Sequence, residues 1–175
     1  MLCVTRRLGP AGIALRPDPG QSRSSGLFDQ LPAPAIPGAV PLHLGDHELI
    51  EAARAVLLRH YRPFWHTVGA ALRSRDGRIW TGVHLGATVG RLSICAEAVA
   101  LGRVVMDGDG TIECAVAVRH PKPDESVRDI AVVSPCGACR ENLMDYDPQA
   151  MVIVPTADGL RRVPVRSLLP LPYQR

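Results

Sequence analysis

Two short words in this chain hold residues that could do chemistry together. Cys95-Ala96-Glu97 is the first, and Pro135-Cys136-Gly137-Ala138-Cys139-Arg140 follows about forty residues later. Three thiols and one carboxylate in this order suit a zinc ion held by Cys95, Cys136 and Cys139, with Glu97 left free to move protons. Three protein ligands leave one tetrahedral position open, which marks a catalytic rather than a structural site. A water there has its pKa drawn from about 16 toward ~7, so that hydroxide is available at neutral pH. A CxxC pair alone has other readings, a redox dithiol or half of a structural zinc knuckle. A redox pair has no use for Cys95-x-Glu97, however. A knuckle needs a fourth ligand, which Cys114, inside an apolar run, is badly placed to supply.

Both words are expected at helix starts. Cys136 and Cys139 are three apart, so on the first turn of a helix opened by Pro135 and running to about Tyr146 their thiols leave from one face. Unpaired N–H groups and the positive end of the helix dipole lie there, which favours thiolate. Cys95 stands at the matching end of a helix that runs from Ile94 to about Met106. Glu97, as proton carrier, is expected to be desolvated, with a raised pKa.

The elements that must position these helices read in order. Asp46 is the expected N-cap of a helix whose apolar stripe is Leu49, Ile50, Ala53, Val56 and Leu57, stopped by Pro63. Phe64-Trp65-His66 reads as an aromatic core edge. Val68–Leu72 and Ile79–Val83 read as strands joined by the Asp76-Gly77 turn. The small residues Gly69, Ala70 and Ala71 call for close packing, and the cysteine helices are the expected neighbours. Strands follow at Ile112–Val118, Ile130–Val133 and Met151–Val154, then an edge strand at Arg161–Val165 and a last turn at Ser167–Leu169. Helices on a mixed sheet make an α/β sandwich.

A chain of 175 residues suits one full domain. We expect a Pro/Gly-rich N-terminal extension over residues 1–45, which lacks any helical or strand period, and the zinc-dependent domain over 46–175. The net charge of +3 is scattered rather than striped, and aromatic residues are only 4%. A polynucleotide-binding or editing module needs a basic groove and stacking aromatics, so this class is disfavoured. No apolar run reaches the length of a membrane span, and Cys3 and Cys114 do not form a disulfide framework, so a reducing cytoplasm is the expected compartment.

VGAALRSRDGRIWTGVH, CAEAVALG, VAVRHPKPDE, VVSPCGACRE and LLPLPY together resemble the cytidine deaminase superfamily over residues 46–173. VRHP and LLPLPY are similar to its antibiotic-inactivating branch, the bacterial blasticidin S deaminases. The resemblance implies a three-layer α/β/α sandwich around a five-stranded mixed sheet, one Zn2+ per subunit and a homotetramer. It implies hydrolysis of a 4-aminopyrimidine nucleoside to its 4-oxo form with release of ammonia, acting on blasticidin S or on cytidine and deoxycytidine. By position it makes Cys95, Cys136 and Cys139 the ligands and Glu97 the proton shuttle. The Ser134 carbonyl would accept from the departing amine, and the Ala96 N–H would face the pyrimidine oxygen. Arg91 or a C-terminal arginine would pair with a sugar carboxylate. One departure stands out. Where nucleoside deaminases carry an Asn and, two residues on, a Glu that grip the ribose, this chain has His84 and Gly86. His84 is either a sugar contact or a loop residue. Gly86 either removes an anchor or leaves room for a bulkier sugar.

Overall fold

The computed structural model describes residues 35–173. Among them the elements run α1 (Leu44–His60), β1 (Val68–Arg73), β2 (Ile79–Val83), α2 (Ala96–Asp107), β3 (Cys114–Arg119), β4 (Ala131–Val133), α3 (Gly137–Tyr146), β5 (Met151–Thr156) and β6 (Gly159–Pro164). Short 3-10 turns lie at Gly90–Leu92 and Val165–Leu168. The α/β reading holds.

The sheet order is β2-β1-β3-β5-β6, with β3 and β5 parallel and the other neighbours in this row antiparallel. All six strands read from the residues are present, one more than the five-stranded sheet that the resemblance implied. The sixth, β4, shares one edge of β3 with β5: β5 pairs with Cys114 and Ala115, whereas β4 pairs with Ala117, Val118 and Arg119. Splitting the edge this way lets β4 deliver Ser134 and Pro135 to the start of α3.

Helices cover both faces, and glycine decides how close they come. The α1 stripe of Leu49, Ile50, Ala53 and Leu57 is buried. It lies so near the sheet that a Cβ on Gly69 would stand 2.5 Å from the Ala53 carbonyl oxygen. Successive strand residues face opposite ways. Ala71 therefore joins the α1 cluster, while Ala70 packs on Ala96 of α2. Gly82, paired across from Ala70, brings the α2 backbone within 2.6 Å of where its own Cβ would be. The small residues thus serve two faces: α1, not a cysteine helix, takes Gly69 and Ala71.

Asp46 is not the N-cap. α1 starts earlier, with His43 capping, and Asp46 falls in the first turn, where its carboxylate accepts the His43 backbone N–H at 2.9 Å. It is fully buried and also accepts from Arg73 at 2.9 Å. Arg73 and Arg162 then share Glu113, tying the α1 start to β1, β3 and β6. The packed domain begins before residue 46: Val40 pairs with Arg162 on the outer edge of β6, and Ile36 packs against the core. The expected extension over residues 1–34, with Cys3, lies outside the described residues, as does Arg175. Among the described residues no helix is long and apolar enough to cross a membrane.

Candidate metal centre and active site

Two helix starts converge at one end of the sheet. Cys95 is the N-cap of α2, Cys136 is the N-cap of α3, and Cys139 sits in the first turn of α3. The helix thus opens at Gly137, two residues later than Pro135 suggested, because Cys136 keeps extended backbone angles. Beneath them Ala70, Ala96 and Ala117 form a tight cluster with Val68 and Val133, side chains small enough to let both helix ends approach. The Cys95 and Cys136 sulfurs are 3.6 Å apart, those of Cys136 and Cys139 are 3.5 Å apart, and all three lie within 4.8 Å of one another. Sulfurs held tetrahedrally at ~2.3 Å from zinc would stand ~3.8 Å apart, so the donor set fits that ion in type and spacing.

The electrostatics argue the same way. Burial, then the Cys136 hydrogen bond, holds the Cys95 thiol above its usual value. Burial, then the Glu97 charge and the neighbouring thiols, pushes Cys139 up strongly. Burial opposes ionisation of Cys136 as well, yet backbone hydrogen bonding at Cys139 and the two flanking thiols draw it below its usual value. Without a cation Cys136 is the thiol most readily ionised and the other two resist it. A divalent ion is what allows all three to be anionic. Cys114 stays out of this cluster, buried in β3, its thiol pushed up to about 12 chiefly by burial.

Glu97 lies in the first turn of α2, only 7% exposed. Burial raises its pKa, and hydrogen bonding from its own backbone and from Cys139 opposes that without reversing it. The expected desolvated carboxylate is therefore present beside the thiols. Ala96 is buried at the first position of α2, where its N–H has no intrahelical acceptor. Ser134 is exposed between β4 and Pro135. Arg140, part of the second word but given no role from sequence, donates to the Pro135 carbonyl at 3.0 Å and to the Leu168 carbonyl at 3.2 Å. It braces the turn that carries Cys136 against the C-terminal segment.

His84 also belongs to this end. Leu85 and Ile94 exchange both backbone hydrogen bonds, at 2.9 and 3.0 Å, in an antiparallel bridge. One step along that register sets His84 opposite Cys95, and residues so paired point their side chains to one face. The His66 Nδ1–H donates to the His84 carbonyl at 2.8 Å. The Nδ1 of His84 is itself buried without a partner. Burial, then the His66 charge, holds the His84 imidazole below its usual value. Arg91 sits exposed on the Gly90–Leu92 turn and makes no hydrogen bond or ion pair among the described residues. Nor is the aromatic corner a plain core edge. Trp65 and His66 are half-buried, but Phe64 is 80% exposed and has φ +65°. Sequence reasoning missed His66 as a support, since no spacing links it to His84.

A buried carboxylate beside three clustered thiols on an α/β sandwich defines a metal-dependent hydrolase with an open ligand position. Residues 45–155 match the cytidine and deoxycytidylate deaminase zinc-binding region. The chain belongs to the cytidine deaminase family, and zinc is the metal of this site. It is 43% identical over 130 residues to a blasticidin-S deaminase from Bacillus cereus, covering 74% of this chain and 93% of that one. It is 30% identical over 105 residues to a cytidine deaminase from Sporosarcina psychrophila, covering 59% of this chain and 71% of the relative. The crystal structure of cytidine deaminase from Burkholderia pseudomallei superposes with a TM-score of 0.58 at 29% identity, covering 73% of this chain and 98% of the other.

Proposed function

We propose that the protein is a zinc-dependent deaminase that hydrolyses a 4-aminopyrimidine nucleoside, blasticidin S or a related cytosine nucleoside, to its 4-oxo form with release of ammonia. The observation that carries this is the buried Glu97 next to the Cys95–Cys136–Cys139 sulfurs. Zinc held by these three thiolates supplies Lewis acidity, which brings a water's pKa near neutrality. Glu97 takes a proton from the attacking water and passes it to the ring nitrogen, then takes the hydroxyl proton of the tetrahedral adduct at C4 and delivers it to the departing amine. A C4–O bond forms, the C4–N bond breaks, and no oxidant is needed. The Ala96 N–H faces the pyrimidine oxygen, and the Ser134 carbonyl receives a hydrogen bond from the leaving amine. His84 contacts the sugar, and Arg91 pairs with a sugar carboxylate where one is present.

Blasticidin S is favoured over plain cytidine by the 43% identity to the Bacillus cereus enzyme and by Gly86, which offers no carboxylate to ribose. The protein would then serve antibiotic resistance. Salvage of cytidine or deoxycytidine is the second reading, favoured by the likeness to the Sporosarcina psychrophila enzyme. We place the protein in the cytoplasm, where the thiols stay reduced, and assemble it as a homotetramer. Exposed Met106 and Val105 on α2, with Tyr146 on α3, supply an apolar face for that contact. Residues 46–175 carry the deaminase domain, with the packed segment from residue 35 leading into it. The test is ammonia release and ultraviolet change with zinc-loaded protein on blasticidin S, cytidine, deoxycytidine and cytosine. Glu97→Gln should keep its zinc and lose about 10²–10⁴-fold in turnover. Full activity in that variant removes Glu97 from the mechanism.

A further inference from the structure

Gly86 is not an open space. Its backbone N–H donates to the Trp65 carbonyl at 2.8 Å. A Cβ built on it would stand 2.8 Å from both the Cα and the carbonyl oxygen of Trp65, and 3.2 Å from the carbonyl of Phe64. These are backbone atoms of a closed turn, which cannot step aside as a side-chain tip can. Arg62 and His66 pair across the turn, and the N–H groups of Trp65 and His66 both donate to the Arg62 carbonyl, at 3.0 and 2.9 Å. The Arg62 guanidinium lies 5.0 Å over the Trp65 ring. Residue 86 follows residue 84 by two, so its Cβ direction is that of the His84 side chain, the face shared with Cys95. The Arg62–His66 turn therefore fills the place on the site wall that a side chain at 86 would occupy.

We infer that this turn, seated on Gly86, is the specificity element of the sugar side of the site, and that it selects 4-aminopyrimidine nucleosides independently of their sugar hydroxyls. This rests on the deaminase reading above. The sugar meets a backbone wall and the half-buried imidazole of His84. No carboxylate can be placed at position 86 without displacing the turn. A site whose buried polar groups are built around a substrate hydroxyl rejects the analogue lacking it by 10⁴–10⁵-fold. Here no charged acceptor is left unpaired when the hydroxyls are removed, so the loss is that of one neutral hydrogen bond at most, about tenfold.

The experiment compares kcat/KM of the zinc-loaded wild-type protein for cytidine and 2′,3′-dideoxycytidine, with blasticidin S run alongside. Values for the two nucleosides within about twentyfold of each other support the inference, and a larger loss for the dideoxy compound overturns it. Turnover of neither nucleoside also overturns it. Ammonia release from blasticidin S then shows whether the deaminase reading survives, and its absence sinks both. Gly86→Ala supplies the second arm. The added Cβ must displace the turn, so the melting temperature falls and KM rises about tenfold or more, while kcat stays within about threefold. An unchanged KM overturns the specificity role, whatever the melting temperature does.

Discussion

Gly82→Ala is the substitution that best probes how the sheet positions the chemistry. Gly82 lies in β2 beneath the first turns of α2, and a Cβ there would stand 2.6 Å from the Ala96 carbonyl oxygen and from the Ala100 nitrogen. Ordinary contact begins near 3.4 Å, so strand and helix must separate by about 0.8 Å. Both obstacles are helix backbone, and a close-packed interior passes such a shift along rather than absorbing it. The first turn of α2 carries Cys95, Ala96 and Glu97, whereas Cys136 and Cys139 ride on α3 and stay behind. Overpacking of this kind costs about 1–3 kcal/mol, a drop of roughly 3–10 °C in melting temperature for a domain of this size. Moving a catalytic group by close to an ångström costs up to about a hundredfold in rate. The assay is kcat/KM for deamination together with zinc content and a thermal melt. A Gly82→Ala protein within twofold of wild-type kcat/KM and within 2 °C (the order of ~0.5 kcal/mol) of its melting temperature would refute the reasoning.

Asp46→Asn should cost about 3 kcal/mol, near 10 °C in melting temperature, because it leaves Arg73 and Arg162 sharing Glu113 alone. Arg73, at the far end of β1 from Val68, is remote from the cysteines, so the folded fraction should keep its zinc and its kcat. Burial alone would raise the pKa of Glu113, but the Arg73 hydrogen bond and the charges of Arg73 and Arg162 hold it below its ordinary 4.5. Its folded pKa is therefore lower than its unfolded one, so its stabilisation is present above the unfolded value and lost as pH falls through the folded one. Urea midpoints should decline as pH drops below roughly 5, and less steeply in Glu113→Gln. At the site, His84→Asn keeps a polar side chain in place of the imidazole and should keep KM within about threefold. His84→Leu should raise KM about tenfold, the worth of one neutral hydrogen bond. Equal KM values for the two variants would remove His84 from the sugar contact.

The two cysteine words made the metal centre legible because ligand type, spacing and helix starts are all local properties. Cys136 and Cys139 share a face by helical geometry alone, and the deaminase motifs around them named the family. Strand and helix positions followed from period and turn chemistry, with ends misplaced by only a few residues. Asp46 was misread for an instructive reason. An acid near a helix start fits both an N-cap and a first-turn partner of one, and only the chain's path through His43 separates them. The short strand at Ala131–Val133 was read from its apolar run, but a three-residue run cannot announce which edge it will share.

By itself the sequence determined the metal centre and what holds it: three thiols, one neighbouring carboxylate and an α/β scaffold to hold them. What surrounds that centre was decided by tertiary structure. Gly86 reads in the sequence as a missing carboxylate or a vacant space, yet the folded chain fills the position with the backbone of Trp65. His66 supports His84, and Arg140 braces the turn before Cys136, through backbone carbonyls far along the chain. A carbonyl carries no residue-type signal. Contacts of that kind exist only once packing has brought the two segments together.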